Sequence, residues 1–381
     1  MTKEVDSDKL ELREASPAQH HQTHLNSFSA WGTGLTLNQY IAREQFLMQY
    51  PYAKLRLHVW VLVPKSDPMT LDILAACETY SRPCVVVDNN QIILNQTSHT
   101  VATVFTPVSK RNRGYASIMM EKLFHLLGSK EEVIATTLYS DIGPKYYCKL
   151  GWDLYSSESA VFKVKKDDVV NSSLPMITGH INLKPLTVSD LKRVSERDIQ
   201  NLISSIRNEN QIKSNYNNGM VMSPYGTPTV FAVLPTADCQ EWLHGRAIFY
   251  SKELLKRNPP QFVGCEYINN DMNKNSSSWG FITWYHDFTE KKLMILRLFN
   301  NENNKIVTDT LIRAAIMEAR AWELEHVELW DPAKLDLSGL DYTLFNRKES
   351  LSCMKLFLVN NNNDHSNNNI RWILNEKFAW S

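Results

Sequence analysis

The 381-residue chain carries 41 basic and 41 acidic residues, so its formal net charge is zero. An apolar fraction of 43% supports a large core, and a length beyond about 250–300 residues calls for at least two domains. The charge balance argues against a general nucleic-acid binder, which needs a basic excess to release counterions. No apolar run approaches the ~18–20 residues of a bilayer span. The acidic, polar start MTKEVDSDKLELREASPAQ is neither a secretory signal nor a transit peptide. Cys77, Cys84, Cys148, Cys239, Cys265 and Cys353 include no CxxC pair, a pattern of free thiols in a reducing compartment rather than a disulfide framework or zinc site. The expectation is a soluble protein of the cytoplasm, with the nucleus left open, and no metal, membrane or nucleic-acid partner.

Leu10–Glu14 alternates and predicts a first strand. Helices are expected over Gln19–Ala30 and Thr36–Tyr50, with a bend at Trp31, Gly32 and Gly34. Strands are expected at Leu55–Pro64, Leu74–Glu78, Cys84–Val87 and His99–Val108. Apolar residues at helical spacing mark Ser117–Leu127, followed by a strand at Val133–Tyr139 and a short helix at Pro144–Leu150. Strands at Trp152–Tyr155 and Ala160–Lys165 close the unit. The fold class is α/β, a mixed sheet flanked by helices.

The polar stretch 166–180 predicts a linker between a first domain, 1–165, and a second, 181–381. The second opens on a strand from Ile181 and a helix over Ser189–Ile206. Further on, Trp279–Asp287 and Lys292–Phe299 read as a hairpin, Thr310–Leu324 as a helix and Val327–Leu329 as a strand. That order repeats the one at Thr100–Tyr139. Three Asn-rich tracts, 269–275, 300–304 and 360–369, read as surface loops.

The segment with the most chemistry is Val104–Ser117, VFTPVSKRNRGYAS. A strand ends at a proline, a short loop carries Lys110, Arg111 and Arg113, and Gly114 and Ala116 open a helix. First-turn helix amides lack intrahelical partners and point at an anion, and the macrodipole favours negative charge there. Gly114 lets a phosphate approach the backbone closely, and the basic side chains add attraction.

This segment resembles the coenzyme A loop of the GNAT superfamily, Arg/Gln-x-x-Gly-x-Gly/Ala, here Arg111-Asn112-Arg113-Gly114-Tyr115-Ala116. Downstream, Tyr147, Gly151 and Trp152 in YSDIGPKYYCKLGW resemble the family's Tyr-x-x-x-Gly-aromatic segment. The resemblance implies an acetyl-CoA-dependent N-acetyltransferase, a GNAT fold followed by a second, GNAT-like domain without the coenzyme loop. It implies coenzyme contacts from Phe105, Thr106, Arg111, Asn112, Arg113, Gly114, Tyr115, Ala116 and Ser117. It further implies direct transfer, with a sheet that splays between the strands at His99–Val108 and Val133–Tyr139. Tyr147 would protonate the departing thiolate, a role suited to a phenol of pKa ~10; helix phase leaves Tyr146 open for it. The attacking amine, pKa ~10.4, must lose a proton. Glu78 is the leading base, with the Ser381 carboxylate, His99 and Asp141 as alternatives.

The second half shows FNNENNKIVTDT, with Glu302 and no glycine, where a coenzyme loop would stand. Phe378 and Trp380 are apt anchors for the last residues. Over its length the chain resembles the fungal lysine N6-acetyltransferases of lysine catabolism, which implies free lysine as the small-molecule amine. One departure is that Asn112-Arg113 stand where that family usually has Gly-Lys, and Asn112 demands more room near the phosphates. A protein N-acetyltransferase and a catalytically silent coenzyme-binding protein are the readings that compete.

Overall fold

Capping boxes at Ser16–Gln19 and Thr36–Gln39 start the first two helices of the computed structural model, α1 (Pro17–Trp31) and α2 (Leu37–Leu47). The structure describes residues 5–88, 91–165, 182–216, 229–269, 278–301, 304–357 and 370–381. The expected linker, and most of the Asn-rich tracts, lie outside the described residues. Pro51 opens a separate helix, α3 (Pro51–Arg56). It takes the start of the segment expected as a strand, so β2 covers Leu57–Pro64 beside β1 (Leu10–Glu14).

The two strands expected near residues 74 and 84 are one, β3 (Ala75–Asp88). The local pattern breaks at Arg82, but that side chain is fully buried because distant main chain receives it: Phe378 O at 3.1 Å. β3 pairs with β2 through one half and forms a hairpin with β4 (Gln91–Phe105). Then come α4 (Tyr115–Gly128), β5 (Val133–Ser140), α5 (Lys145–Lys149), β6 (Asp153–Leu154) and β7 (Glu158–Lys163). The second half supplies β8 (Leu183–Leu186), α6 (Leu191–Tyr216), β9 (Thr229–Val233), α7 (Ala237–Glu253), β10 (Gly264–Asn269) and β11 (Ser278–Asp287). It continues with β12 (Lys292–Asn300), α8 (Lys305–Ala321), β13 (His326–Trp330), β14 (Thr343–Asn346), β15 (Leu351–Leu356) and β16 (Ile370–Trp372).

One mixed sheet runs β1-β2-β3-β4-β5-β15-β6, with β9 on the far half of β3 and β16 beside β9. The other runs β14-β7-β13-β12-β11-β10-β8. Each contains an antiparallel hairpin whose second strand leads through a helix to a parallel neighbour, β4 to β5 and β12 to β13. The expected division into 1–165 and 181–381 is crossed in both directions. β7 lies in the second sheet, paired to β13 and β14. β15 lies in the first, inserted between β5 and β6. Local periodicity identifies a strand but not its partner, which is why a cut at 165 misassigns β7.

The core under the first sheet is built by Met119, Met120, Leu123 and Leu127 of α4 against Val101 and Leu138. Each is fully buried or nearly so, a gain of about 1.5–3 kcal/mol per large side chain. A second cluster, with Tyr52, Tyr80, Trp242, Tyr285, Trp330 and Phe378, joins the two halves. Beside it, buried Arg297 holds Asp198 through two bonds of 2.8 and 2.9 Å and Glu376 at 2.5 Å, tying α6 to the last residues. Among the described residues no helix is long and apolar enough to cross a membrane.

Candidate active site

The β4–β5 ladder ends at Val101–Leu138. Two residues further on, Thr103 has φ of 53° and the register to β3 shifts between Ala76 and Glu78. An extra residue of this kind bends its strand and terminates pairing, so β4 leaves β5 and the sheet opens. A cavity of about 290 Å³ occupies this region, lined by Ala102, Thr103 and Val104 on one strand and Leu138 and Tyr139 on the other.

Beyond Phe105 the chain passes Thr106 and Pro107 into the basic loop. Arg111 turns back, donating from Nε to Thr106 O at 3.1 Å and lying 5.6 Å from the Phe105 ring centre. Lys110 pairs with Asp72 at 2.6 Å. Arg113 is exposed, with no carboxylate within 4.0 Å among the described residues. Asn112 has φ of 61°, the left-handed region that asparagine enters more readily than most residues. A change from glycine is thus accommodated by the backbone.

Gly114, with φ of 80°, caps α4, and no side chain accepts from the helix N-terminus. The first bond of the helix is Ile118 N to Gly114 O at 3.0 Å. The amides of Tyr115, Ala116 and Ser117 therefore stand ahead of the helical ladder. A Cβ built on Gly114 meets nothing within 4 Å, so space for an anion lies directly before them. The matching end of α8 is closed: Asn304 Oδ1 accepts from Ile306 N at 2.9 Å. The same tract, expected as an unpacked loop, also donates from Asn300 Nδ2 to Thr308 at 3.2 Å. The two halves thus differ physically, one helix N-terminus open to an anion and the other satisfied by its own asparagine.

The two tyrosines of α5 separate. Tyr146 reaches Ser117 Oγ at 3.1 Å, beside the open helix end. Tyr147 is buried and lines the cavity. Burial pushes its phenol well above the ordinary value, so it keeps its proton. Glu78 lines the same cavity and accepts from Thr103 Oγ1 at 3.0 Å and Tyr80 OH at 3.3 Å. Burial, and secondarily the charge of Glu44, pushes its carboxyl up to about 7 against those two bonds. Asp141 also lines the cavity, while accepting from Ser350 N at 2.8 Å. His99 sits elsewhere in the sheet, buried against Thr79 Oγ1 at 3.3 Å, and burial lowers it to about 3.

His20 and His24, one turn apart on α1, approach Glu78, with one ligand-type atom from each of the three within 4.8 Å. Of the described residues this is the group able to hold a metal. Burial lowers both imidazoles, His20 to about 4, so both are neutral at pH 7.

Trp31, Tyr40, Arg43, Glu44 and Tyr80 extend the wall within the first half, and the second half adds Trp242 and Arg246 of α7, Trp380 and Ser381. Arg82 fastens this last segment, bonding Phe378 O at 3.1 Å and Ser381 Oγ at 3.4 Å, while Tyr52 OH meets Ser381 Oγ at 2.6 Å. Trp242 and Arg246 were not among the sequence-derived candidates, because α7 carries no motif and reaches the cavity only through tertiary packing.

Residues 163–381 match the family model described as the LYC1 GNAT-like C-terminal domain, more than half of the chain. The chain belongs to the LYC1 GNAT-like family. Over 317 residues this LYC1-like chain is 26% identical to a protein of Yarrowia lipolytica named lysine acetyltransferase, spanning 76% of this chain and 75% of that one. An uncharacterized Saccharomyces cerevisiae protein is 25% identical over 83% of this chain and 82% of its own. Among solved structures, a GCN5-related N-acetyltransferase from Kribbella flavida superposes with a TM-score of 0.50 at 14% identity, covering 91% of this chain and 72% of that one. A probable N-acyltransferase from Enterococcus faecalis superposes at 0.52 and 9% identity, covering 91% and 73%. The LYC1-like chain has the GNAT fold expected from its loop, and it is a GNAT-type N-acetyltransferase.

Proposed function

We propose that the chain carries the acetyl group of acetyl-CoA to a primary amine, the side-chain amine of free lysine. The observation that carries this reading is the open N-terminus of α4 beside a sheet that parts into a cavity holding Glu78 and Tyr147. The name of the Yarrowia lipolytica relative supports lysine as the acceptor.

In this reading the amides of Tyr115, Ala116 and Ser117 receive the coenzyme diphosphate, with Arg111, Asn112, Arg113 and Gly114 shaping the approach. Main chain near Phe105 and Thr106, beyond the end of the β4–β5 ladder, flanks the pantetheine arm. Acetyl-CoA supplies an activated thioester. Glu78 takes a proton from the ammonium, for which a carboxylate near pH 7 is well matched. The neutral amine bonds to the thioester carbonyl carbon, the C–S bond breaks, and Tyr147 gives its proton to the departing sulfur and regains one from the acylated nitrogen. The first half provides this machinery and the second half covers it with Trp242, Arg246 and Trp380. That cover, with Glu78 in the wall, favours a small cationic acceptor over a protein chain.

The test is thioester consumption by the full chain with free amino acids, diamines and lysine-containing peptides. Turnover highest with lysine is expected. Coenzyme binding with no turnover on any amine would replace the reading with a silent binding protein.

A further inference from the structure

Two guanidinium groups line the cavity, and they differ in their partners. Arg43 is saturated. It binds Glu44 through Nε at 2.9 Å and again through Nη2, donates to Tyr250 OH at 2.6 Å, and reaches Trp31 O at 3.2 Å. Arg246 faces no carboxylate within 4.0 Å among the described residues; its guanidinium lies 5.7 Å from the centre of the Trp380 ring. Asp287, on β11, feels its charge but is held by Thr289 Oγ1 at 2.7 Å and Glu290 N at 3.1 Å. Among the side-chain acids of the cavity, Glu44 is taken up by Arg43 and Asp141 by Ser350.

A half-buried guanidinium that has given up water without gaining an anion is a receptor for one. Its planar fork matches a carboxylate, with two parallel N–H···O bonds. The cavity therefore offers an acid, Glu78, for an ammonium and a cation, Arg246, for a carboxylate. Trp242, Tyr80 and Trp380 supply apolar wall to the same cavity. An acceptor with both charges joined by an aliphatic stem fits that set. We infer that Arg246 binds the α-carboxylate of the acceptor, so that the substrate class is a free diamino acid and not a peptide-bound lysine or a diamine. The inference rests on the acetyl-transfer reading for its reaction but not for its binding site.

The experiment uses L-lysine, L-lysinamide and cadaverine with the wild-type chain, Arg246→Gln and Arg246→Lys. Wild type is expected to prefer lysine in kcat/KM. Arg246→Gln should raise KM for lysine by about 10- to 100-fold, the range for losing a charged hydrogen-bond partner. Its effect on cadaverine, which has no carboxylate, should be far smaller, and Arg246→Lys should recover part of the loss. Equal loss on lysine and cadaverine, or a wild-type chain indifferent to the carboxylate, overturns the inference. Should Arg246→Gln fail to fold, the wild-type comparison of lysine with lysinamide decides alone. Calorimetric titration of the three amines separates the two claims. A lysine preference abolished by Arg246→Gln without any thioester consumption keeps the carboxylate site and removes acetyl transfer.

Discussion

Replacing Glu78 with glutamine should damage activity and relieve a pH-dependent instability at once. The side chain keeps its shape, and its Oε1 can still accept from Thr103 Oγ1 and Tyr80 OH, now 3.0 and 3.3 Å from the carboxylate. Loss of a general base lowers turnover by about 10²–10⁴-fold. The wild-type pH profile should rise through about 7, where burial places this carboxyl, and that inflection should vanish in Glu78→Gln. The neighbours facing it are Glu44, Arg43, Tyr80, His20 and His24, and burial holds both histidines neutral there. Stability has the opposite sign from the usual carboxylate. The folded chain binds this proton more tightly than the unfolded chain, so stability is full below pH 4.5 and falls as pH rises to about 7. At 1.36 kcal/mol per tenfold, a rise from 4.5 to about 7 corresponds to roughly 3 kcal/mol, and solvent in the cavity reduces that to about 1–3 kcal/mol. Urea denaturation at pH 5 and pH 8 measures it: wild type should lose this amount more than Glu78→Gln. Equal losses, with the inflection near 7 retained, would refute the role of Glu78.

Gly114→Asp sets a carboxylate before the amides of Tyr115 to Ser117, in open space but at φ of 80°; coenzyme affinity in calorimetry should drop at least tenfold with the fold kept by circular dichroism. Tyr147→Phe should lower kcat about 10²-fold with little change in KM, as for a proton donor acting in the transition state; full activity would remove it from the mechanism. Arg82→Met leaves the carbonyls of Phe378 and Ala379 and the hydroxyl of Tyr52 without their buried donor. It should cost roughly 2–5 kcal/mol in urea denaturation and weaken turnover through Trp380 and Ser381. Treatment with EDTA should leave activity intact; loss restored by zinc would make His20, His24 and Glu78 a ligand set.

What was legible in the sequence follows the range of the interactions. The loop proposed to hold the coenzyme stands out because its glycine, basic residues and helix start fall in one contiguous stretch, Val104–Ser117. Glu78 was reachable because the strand neighbouring the loop could be counted from the pattern. The phase of α5 was not, and only packing separates Tyr147 in the cavity from Tyr146 against Ser117. The exchange of β7 and β15 between sheets leaves no local trace, since a strand's periodicity is the same whichever sheet receives it. Arg82 hid the continuity of β3 for a related reason: a charged residue reads as surface unless its partners, here nearly 300 positions away, are known. Arg246 and Trp242 were invisible because α7 contributes to the cavity through tertiary contact alone.

The most direct measurement is a crystal structure of the chain with coenzyme A. The diphosphate should lie within hydrogen-bond distance of the Tyr115, Ala116 and Ser117 amides, the pantetheine arm along β4 past Val101, and the sulfur beside Tyr147. A diphosphate bound elsewhere, or a pantetheine arm that does not enter the parting of β4 and β5, would contradict the acetyl-transfer reading.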